Sequence, residues 1–390
     1  MRAYQECAHP RVRVAVEAIV VAAAVVVLAW AWRADLHWFE RHYLLYYWAR
    51  DASDQRAALT WRAAGVVVGA ALLFVLRPIA GRWAGRKSAR EAFDASAPMA
   101  VAFVLALVAS EVGLRVLHLP RRAHKLGPIE VRIGEQDPRY GWRFVASRAT
   151  TIETGGRAIE YAIDADHDRA RSIDDTPDLT RPTLLFTGES ITAGHGLYWD
   201  ETFAANVGRA LDLQVVDLGV HGYGSDQAFL RLSDALPRFQ RPVATVTFFF
   251  SLMVWRMTLD DHPHIVFDGF TPRLVEPHNV LHDLHLAEAA RAIFEYRDDD
   301  ALETAKTLFR ETARLSVARG AKAIFLCPSF GYPAPRGDRW ILDELFANQG
   351  LTCVDVDIGD ETIPGDNHPT ARSIAKLTSA LTDAMKRVLR

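Results

Sequence analysis

The sequence predicts an α/β domain on a parallel sheet covered by helices on both faces, preceded by transmembrane helices. Three observations lead there. From residue 181 onwards, short apolar runs rich in branched residues alternate with longer helical or mixed stretches. The first 118 residues carry long apolar runs of membrane-spanning character. The first strand-like run, Thr183 to Phe186, ends in Gly188-Glu189-Ser190, which puts a hydroxyl at the carboxyl end of a buried strand, where open α/β sheets bind ligands.

Half of the 390 residues are apolar, and their uneven distribution marks two regions of different character. Residues 14–32 are long enough to cross a bilayer core and end in Trp30-Ala31-Trp32. Because Trp30-Ala31-Trp32-Arg33 is bulky and charged, with no small-residue cleavage pattern, the run reads as a retained anchor. A second long run covers 98–118 and contains Glu111, close enough to its end to reach the interface or a neighbouring helix. The shorter run 63–76 lies between Arg62 and Arg77 and completes a set of about three spans within residues 1–118.

Arg2, Arg11 and Arg13 precede the first span, and Arg77, Arg82, Arg86, Lys87 and Arg90 precede the third. Both flanks belong on the cytoplasmic side, and the loop with Trp38, Phe39, Tyr43, Tyr46, Tyr47 and Trp48 belongs at the opposite interface. Three spans then carry everything after residue 120 out of the cytoplasm; if 63–76 does not cross, that region stays inside.

The net charge of −3 comes with no basic stripe, so nucleic acid is not an expected partner. Cys7 precedes the first span, while Cys327 and Cys353 sit in or at the end of apolar strand-like runs and read as buried free thiols. Residues 119–180 are polar and turn-rich and read as a small β-rich neck, with Asp137-Pro138-Arg139-Tyr140-Gly141-Trp142 as a turn beside aromatics. Within 181–390 the expected strands are 183–187, 214–218, 243–250, 322–327 and 352–357; helical periodicity is clearest at 302–319 and 370–389, with a helical insert at about 256–300.

A serine hydroxyl attacks only when a base takes its proton, an acid orients that base, and donors meet the developing oxyanion. Gly365-Asp366-Asn367-His368-Pro369 follows the last strand and precedes the last helix, which places it on the same sheet edge as Ser190. His368 is the expected base. Asp366 is its orienting carboxylate, at a two-residue offset that a loop allows and a helix does not. The glycine-spaced loop Gly219 to Gly224 offers backbone N–H groups, with Gly222 the best placed. Its spacing is not that of a dinucleotide fingerprint, so no nucleotide cofactor is expected.

Gly-Glu-Ser after the first strand, Gly-Val-His-Gly-Tyr-Gly-Ser-Asp-Gln after the second and Asp-x-His-Pro before the last helix together resemble the SGNH/GDSL hydrolases over about residues 181–389. Asp137-Pro138 with Gly141-Trp142 looks like the segment before the catalytic domain in membrane-anchored bacterial members. The resemblance implies a flavodoxin-like three-layer sandwich, Ser190 as nucleophile, His368 as base, and the N–H groups of Ser190 and Gly222 as oxyanion donors. It also implies acyl-ester hydrolysis or transfer without a metal or other cofactor, at a bacterial inner membrane with the catalytic domain outside the cytoplasm. The substrate class is an acylated polysaccharide or lipid of the envelope.

The chain departs from the family pattern after the third strand. An asparagine that donates to the oxyanion is expected there, yet none occurs between Asn206 and Asn279, and the text reads Ser251-Leu252-Met253-Val254-Trp255-Arg256. Loss of one such donor costs about 2.7–4 kcal/mol of transition-state stabilisation; Ser251 and Arg256 are the candidate substitutes. The competing reading is a catalytically impaired domain that binds glycans or assembles an envelope complex. His262, His264, His278, His282 and His285 match no firm metal signature and read as a polar lid or solvent-facing surface. His195 and His221 lie near the site, as substrate contacts or locally satisfied loop residues, and Asp226 and Gln227 cap the helix after the glycine loop.

Overall fold

The computed structural model describes residues 10–34, 52–116, 132–257, 262–268, 271–275, 284–286, 297–330 and 336–389. Cys7, the aromatics Trp38 to Trp48, His278 and His282 lie outside them. The chain divides into two compact units, one holding 1–44, 49–120 and 281–295, the other 45–48, 121–280 and 296–390.

In the first unit, helix α1 (Pro10–Arg33) packs against α2 (Ala52–Ala71), which continues through a π-helical turn at Leu72–Leu76 into α3 (Arg77–Gly85). Small residues permit the approach: Gly65 faces Ala31 and Trp30, and Gly69 faces Leu28, each too near for a Cβ. Two stretches, Arg11–Arg33 and Leu59–Gly85, are long and apolar enough to cross a membrane, with mean hydropathies of 2.5 and 2.1. The third expected span falls in α4 (Ala89–Val116), where Glu111 accepts from Arg115 Nε at 2.6 Å and from the backbone N–H groups of His285 and Leu286 at 3.0 and 2.8 Å.

The second unit opens with a hairpin of β1 (Gly134–Asp137) and β2 (Gly141–Phe144), whose turn is held by Asp137 Oδ1 accepting from the N–H groups of Arg139 and Tyr140. Strands β3 (Arg148–Thr154), β4 (Arg157–Ile163) and β5 (Arg169–Ala170) follow. The α/β pattern then runs β6 (Thr183–Thr187), α5 (Phe203–Leu211), β7 (Gln214–Asp217), α6 (Ser225–Ala235), β8 (Pro242–Phe248) and the short α7 (Leu252–Arg256). A second hairpin, β9 (His264–Asp268) with β10 (Thr271–Val275), precedes α8 (Arg297–Ala318), β11 (Lys322–Ser329), α9 (Arg336–Leu345), β12 (Cys353–Asp357) and α10 (Ala371–Val388).

Among the described residues the main sheet has eight strands, ordered β12-β11-β8-β6-β7-β5-β4-β3. The strands from β12 to β7 are parallel and realise the doubly wound order 2-1-3-4-5 of an α/β sandwich. Side chains alternate across β6: Leu184 and Phe186 join Phe203 and Val207 of α5, while Leu185 joins Leu232 and Leu236 at the end of α6. Helix α5 packs against α10, and α6 against α8, forming the two outer layers.

Three features differ from the sequence-based expectation. The sheet is mixed, because β5 pairs antiparallel with β7 and brings β4 and β3 with it; the segment read as a neck thus supplies three strands of the main sheet. The insert expected to be helical carries a β-hairpin among its described residues. Cys327 and Cys353 form a disulfide rather than buried thiols, because β11 and β12 are parallel neighbours and bring their Cα atoms to 6.0 Å. With a sequence separation of 26, the cross-link stabilises the fold by about 3.5 kcal/mol in the chain-entropy account.

Candidate active site

Strand β6 ends at Thr187, and Gly188 lets the chain turn where space is absent: a Cβ there would overlap Thr192 Oγ1 and press on Phe248 Cβ at 2.8 Å. Ser190 follows, nearly buried. The loop before α10 brings His368 to it, with His368 Nε2 2.7 Å from Ser190 Oγ and His368 Nδ1 2.5 Å from Asp366 Oδ1. The same Asp366 oxygen accepts from the His368 backbone N–H at 2.8 Å, and this local ring makes the two-residue offset workable. The predicted Ser190, His368 and Asp366 therefore meet as one hydrogen-bonded chain.

Two further side chains join this chain: His195, expected near the site, and Glu189 of the Gly-Glu-Ser turn. His195 stacks on His368 with ring centres 3.8 Å apart and places Nε2 3.0 Å from Asp366 Oδ2, so one carboxylate holds two imidazoles. Burial pushes the Asp366 carboxyl up, but the hydrogen bonds from His195 and His368 outweigh it and hold the group well below the usual carboxylate range. On the other side, Glu189 contacts Ser190 Oγ through Oε2 and accepts from the Ile191 N–H at 2.8 Å. Its burial favours the neutral acid, yet Arg256, His368 and these hydrogen bonds lower its pKa, so it is a buried carboxylate touching the Ser190 hydroxyl.

Arg256 is the basic side chain delivered by the segment after β8. Its Nη1 lies 3.3 Å from Glu189 Oε2 and 3.1 Å from the Tyr223 carbonyl. Ser251, the other candidate substitute for the absent asparagine, is buried at the start of α7. Gly222 lies on the loop between β7 and α6 at φ 79°, a left-handed conformation that favours glycine. That loop is fastened beside the Gly188–Ser190 turn by Leu218 N–H to Phe186 O at 2.8 Å and Val220 N–H to Gly188 O at 3.4 Å. His221 is fully buried, with its ring centre 4.9 Å from that of His195; burial and the neighbouring histidines hold its pKa well below the ordinary value.

The strands before β6 position this site. Trp142 Nε1 donates to the His221 carbonyl at 2.8 Å, Tyr223 Oη donates to the Trp142 carbonyl at 2.6 Å, and Gln227 Nε2 donates to the Tyr140 carbonyl at 2.7 Å. Gln227 also caps α6, its Oε1 accepting from Gly224 N–H at 2.8 Å. From β5, the buried Arg169 donates to the carbonyls of Ala193, Gly194 and Leu197 and lies over the Tyr161 ring at 4.0 Å. Tyr161 Oη accepts from Gly196 N–H at 2.7 Å. Arg169 therefore clamps the turn that begins at Ser190. Its one sequence signal was an arginine beside alanine in a turn-rich stretch, which does not reveal burial.

Behind the site, Asp217 at the end of β7 is fully buried and accepts from Gly219 N–H at 3.0 Å. Burial pushes its carboxyl up to about 8, against the lowering effect of Gly219 and Arg169. A raised folded pKa contributes stability that is present below the unfolded value near 4 and is lost as pH rises through about 8. One such proton gives a slope approaching 1.4 kcal/mol per pH unit, by order of magnitude. In thermal unfolding across that window, Asp217→Asn flattens the decline and is more stable than the parent at pH 8; an unchanged slope removes Asp217 as its cause.

No protein-family model and no curated protein sequence matches the chain. Solved structures similar to it include an acetyl xylan esterase from the rumen bacterium Butyrivibrio proteoclasticus, at 13% identity and a TM-score of 0.35, covering 55% of this chain and 66% of that one. A family two carbohydrate esterase from Cellvibrio japonicus shows 14% identity and a TM-score of 0.34, covering 55% and 63%. An SGNH-hydrolase family esterase shows 16% identity and a TM-score of 0.29, covering 55% and 100%. The chain thus spans just under two thirds of the first two. At this level of similarity, function rests on the geometry of the site itself.

Proposed function

We propose that this chain is a membrane-anchored serine esterase or acyltransferase of the SGNH type, acting on an acyl ester of an envelope polysaccharide or lipid. The observation that carries the reading is the continuous Ser190–His368–Asp366 chain, with links of 2.7 and 2.5 Å. Ser190 Oγ attacks the acyl carbonyl while His368 Nε2 takes its proton, and Asp366 holds the imidazole and stabilises its cation. His368 then returns the proton to the leaving alcohol, and water or a second alcohol releases the acyl group. Ser190 and Gly222 N–H groups face the oxyanion. Arg256 stands in for the absent asparagine by offsetting the Glu189 charge beside the nucleophile.

The location follows from two supports. Arg11–Arg33 and Leu59–Gly85 are long and apolar enough to cross a membrane, a third crossing in α4 would put the second unit outside the cytoplasm, and a disulfide such as Cys327–Cys353 is kept in an oxidising compartment. A domain tethered there meets acylated glycans and lipids.

A second reading, a silent module that binds glycans or assembles an envelope complex, is favoured by one observation. Glu189 contacts the Ser190 hydroxyl and competes with His368 for its proton. A fluorophosphonate probe separates the two. The purified protein is expected to label covalently and turn over short acyl esters, with both lost in Ser190→Ala. No Ser190-dependent labelling and no turnover sinks the enzymatic reading and leaves the binding module.

A further inference from the structure

Outside the triad, a second group of side chains converges at the first turn of α6. Asp226 and His262 are each 1% exposed, and His262 Nε2 lies 3.1 Å from Asp226 Oδ2. His264, the first residue of β9, is half-buried beside them, its ring centre 4.9 Å from that of His262. One ligand atom from each of the three lies within 4.8 Å of the others. From the sequence these histidines belonged to a polar or solvent-facing surface. The structure instead buries His262 against the edge of Trp142, with ring centres 6.0 Å apart.

The Asp226–His262 hydrogen bond joins one pair, and His264 brings a second imidazole to the same point. Two imidazolium ions at this spacing repel, whereas two neutral rings and a carboxylate present converging lone pairs. We infer that Asp226, His262 and His264 form a divalent transition-metal site, with Zn2+ the best match. Its donor set of two nitrogens and one carboxylate oxygen suits Zn2+ and not Mg2+ or Ca2+, which take oxygen ligands. Tetrahedral bonds of about 2.0–2.1 Å put ligand atoms roughly 3.3 Å apart. The Asp226–His262 pair already has that spacing, and rotation of the His264 ring closes the rest, leaving a fourth position for water.

Such an ion ties the β9–β10 hairpin to the start of α6, directly after the loop that carries Gly222. Its role is to brace that loop, and it takes no part in the serine chemistry.

The test is direct metal binding by the purified, chelator-treated full chain, titrated with CoCl2 and ZnCl2. The expected result is one equivalent of Co2+ with the visible ligand-field absorption of a tetrahedral site, displaced by Zn2+. Affinity falls by more than about 100-fold, beyond the usual cost of changing an outer-shell group, in both His262→Ala and His264→Ala. His368→Ala and Ser190→Ala keep the band, which separates this site from the triad with its own histidines. The partly exposed His264 provides a variant that folds if His262→Ala does not. Absence of stoichiometric binding overturns the inference, as does a band that survives His264→Ala but disappears in His368→Ala.

Discussion

Asp366→Asn is expected to lower kcat on short acyl esters by about 10^4, the scale set when the orienting acid of a serine–histidine–acid triad loses its charge. The amide no longer favours the imidazolium formed during attack and can donate to Nδ1, which reverses the tautomer that His368 needs. The effect includes a contribution through His195, because the two carboxylate oxygens serve different rings. His195→Phe isolates it by preserving a ring stacked on His368 while deleting the bond to Asp366; its loss of kcat is smaller than that of Asp366→Asn. Thermal unfolding of each variant confirms that the comparison is between folded proteins. If Asp366→Asn retains kcat within about tenfold, orientation by Asp366 is not part of the mechanism.

Arg169→Met is expected to destabilise the catalytic unit by about 3–5 kcal/mol, the scale for breaking a buried charged network. The guanidinium is 1% exposed and satisfies three carbonyls of the turn after Ser190. Methionine fills similar volume but removes the donor to the Ala193 and Leu197 carbonyls, at about 1–3 kcal/mol each when they stay buried, while Gly194 O keeps the Leu197 N–H at 3.1 Å. Because the turn begins at Ser190, the proposed nucleophile, fluorophosphonate labelling falls as well. Arg169→Lys keeps the charge but not the planar fork, so it recovers only part of the stability. Chemical unfolding of the three proteins measures the effect, and a loss below about 1 kcal/mol in Arg169→Met shows that the turn does not depend on the clamp.

Local sequence carried much of the catalytic half. The β-branched runs that became β6, β7, β8, β11 and β12 lie within two residues of their expected limits, as does the periodic stretch that became α10, while α8 begins five residues before its expected start. A strand buried on both faces has to be apolar throughout, and an amphipathic helix repeats its pattern every 3.6 residues. Ser190, Asp366 and His368 were legible for a related reason. In a doubly wound sheet all loops following parallel strands reach the same edge, so sequence order alone brings the last loop to the first.

Other features depended on pairing between distant segments. Periodicity does not specify that β5 lies antiparallel to β7, so it conceals the neck strands within the catalytic sheet. Nor does it reveal that Cys327 and Cys353 occupy neighbouring strands. Arg169, His195 and Glu189 illustrate the same limit among functional side chains. A polar residue in a loop looks the same in sequence whether water or a buried carbonyl satisfies it, and the difference appears only when its partners arrive.

The sequence by itself determined the α/β class, the apolar helices before it, the serine at the end of the first parallel strand, and the histidine and aspartate that meet it. These follow from burial periodicity and connection order, both local properties. Only the tertiary structure decided that Asp366 is shared by two imidazoles, that Glu189 and Arg256 form a charge pair beside Ser190, and that the strands before β6 clamp the turn after it. Those are contacts across large sequence separations, set by which surfaces pack together.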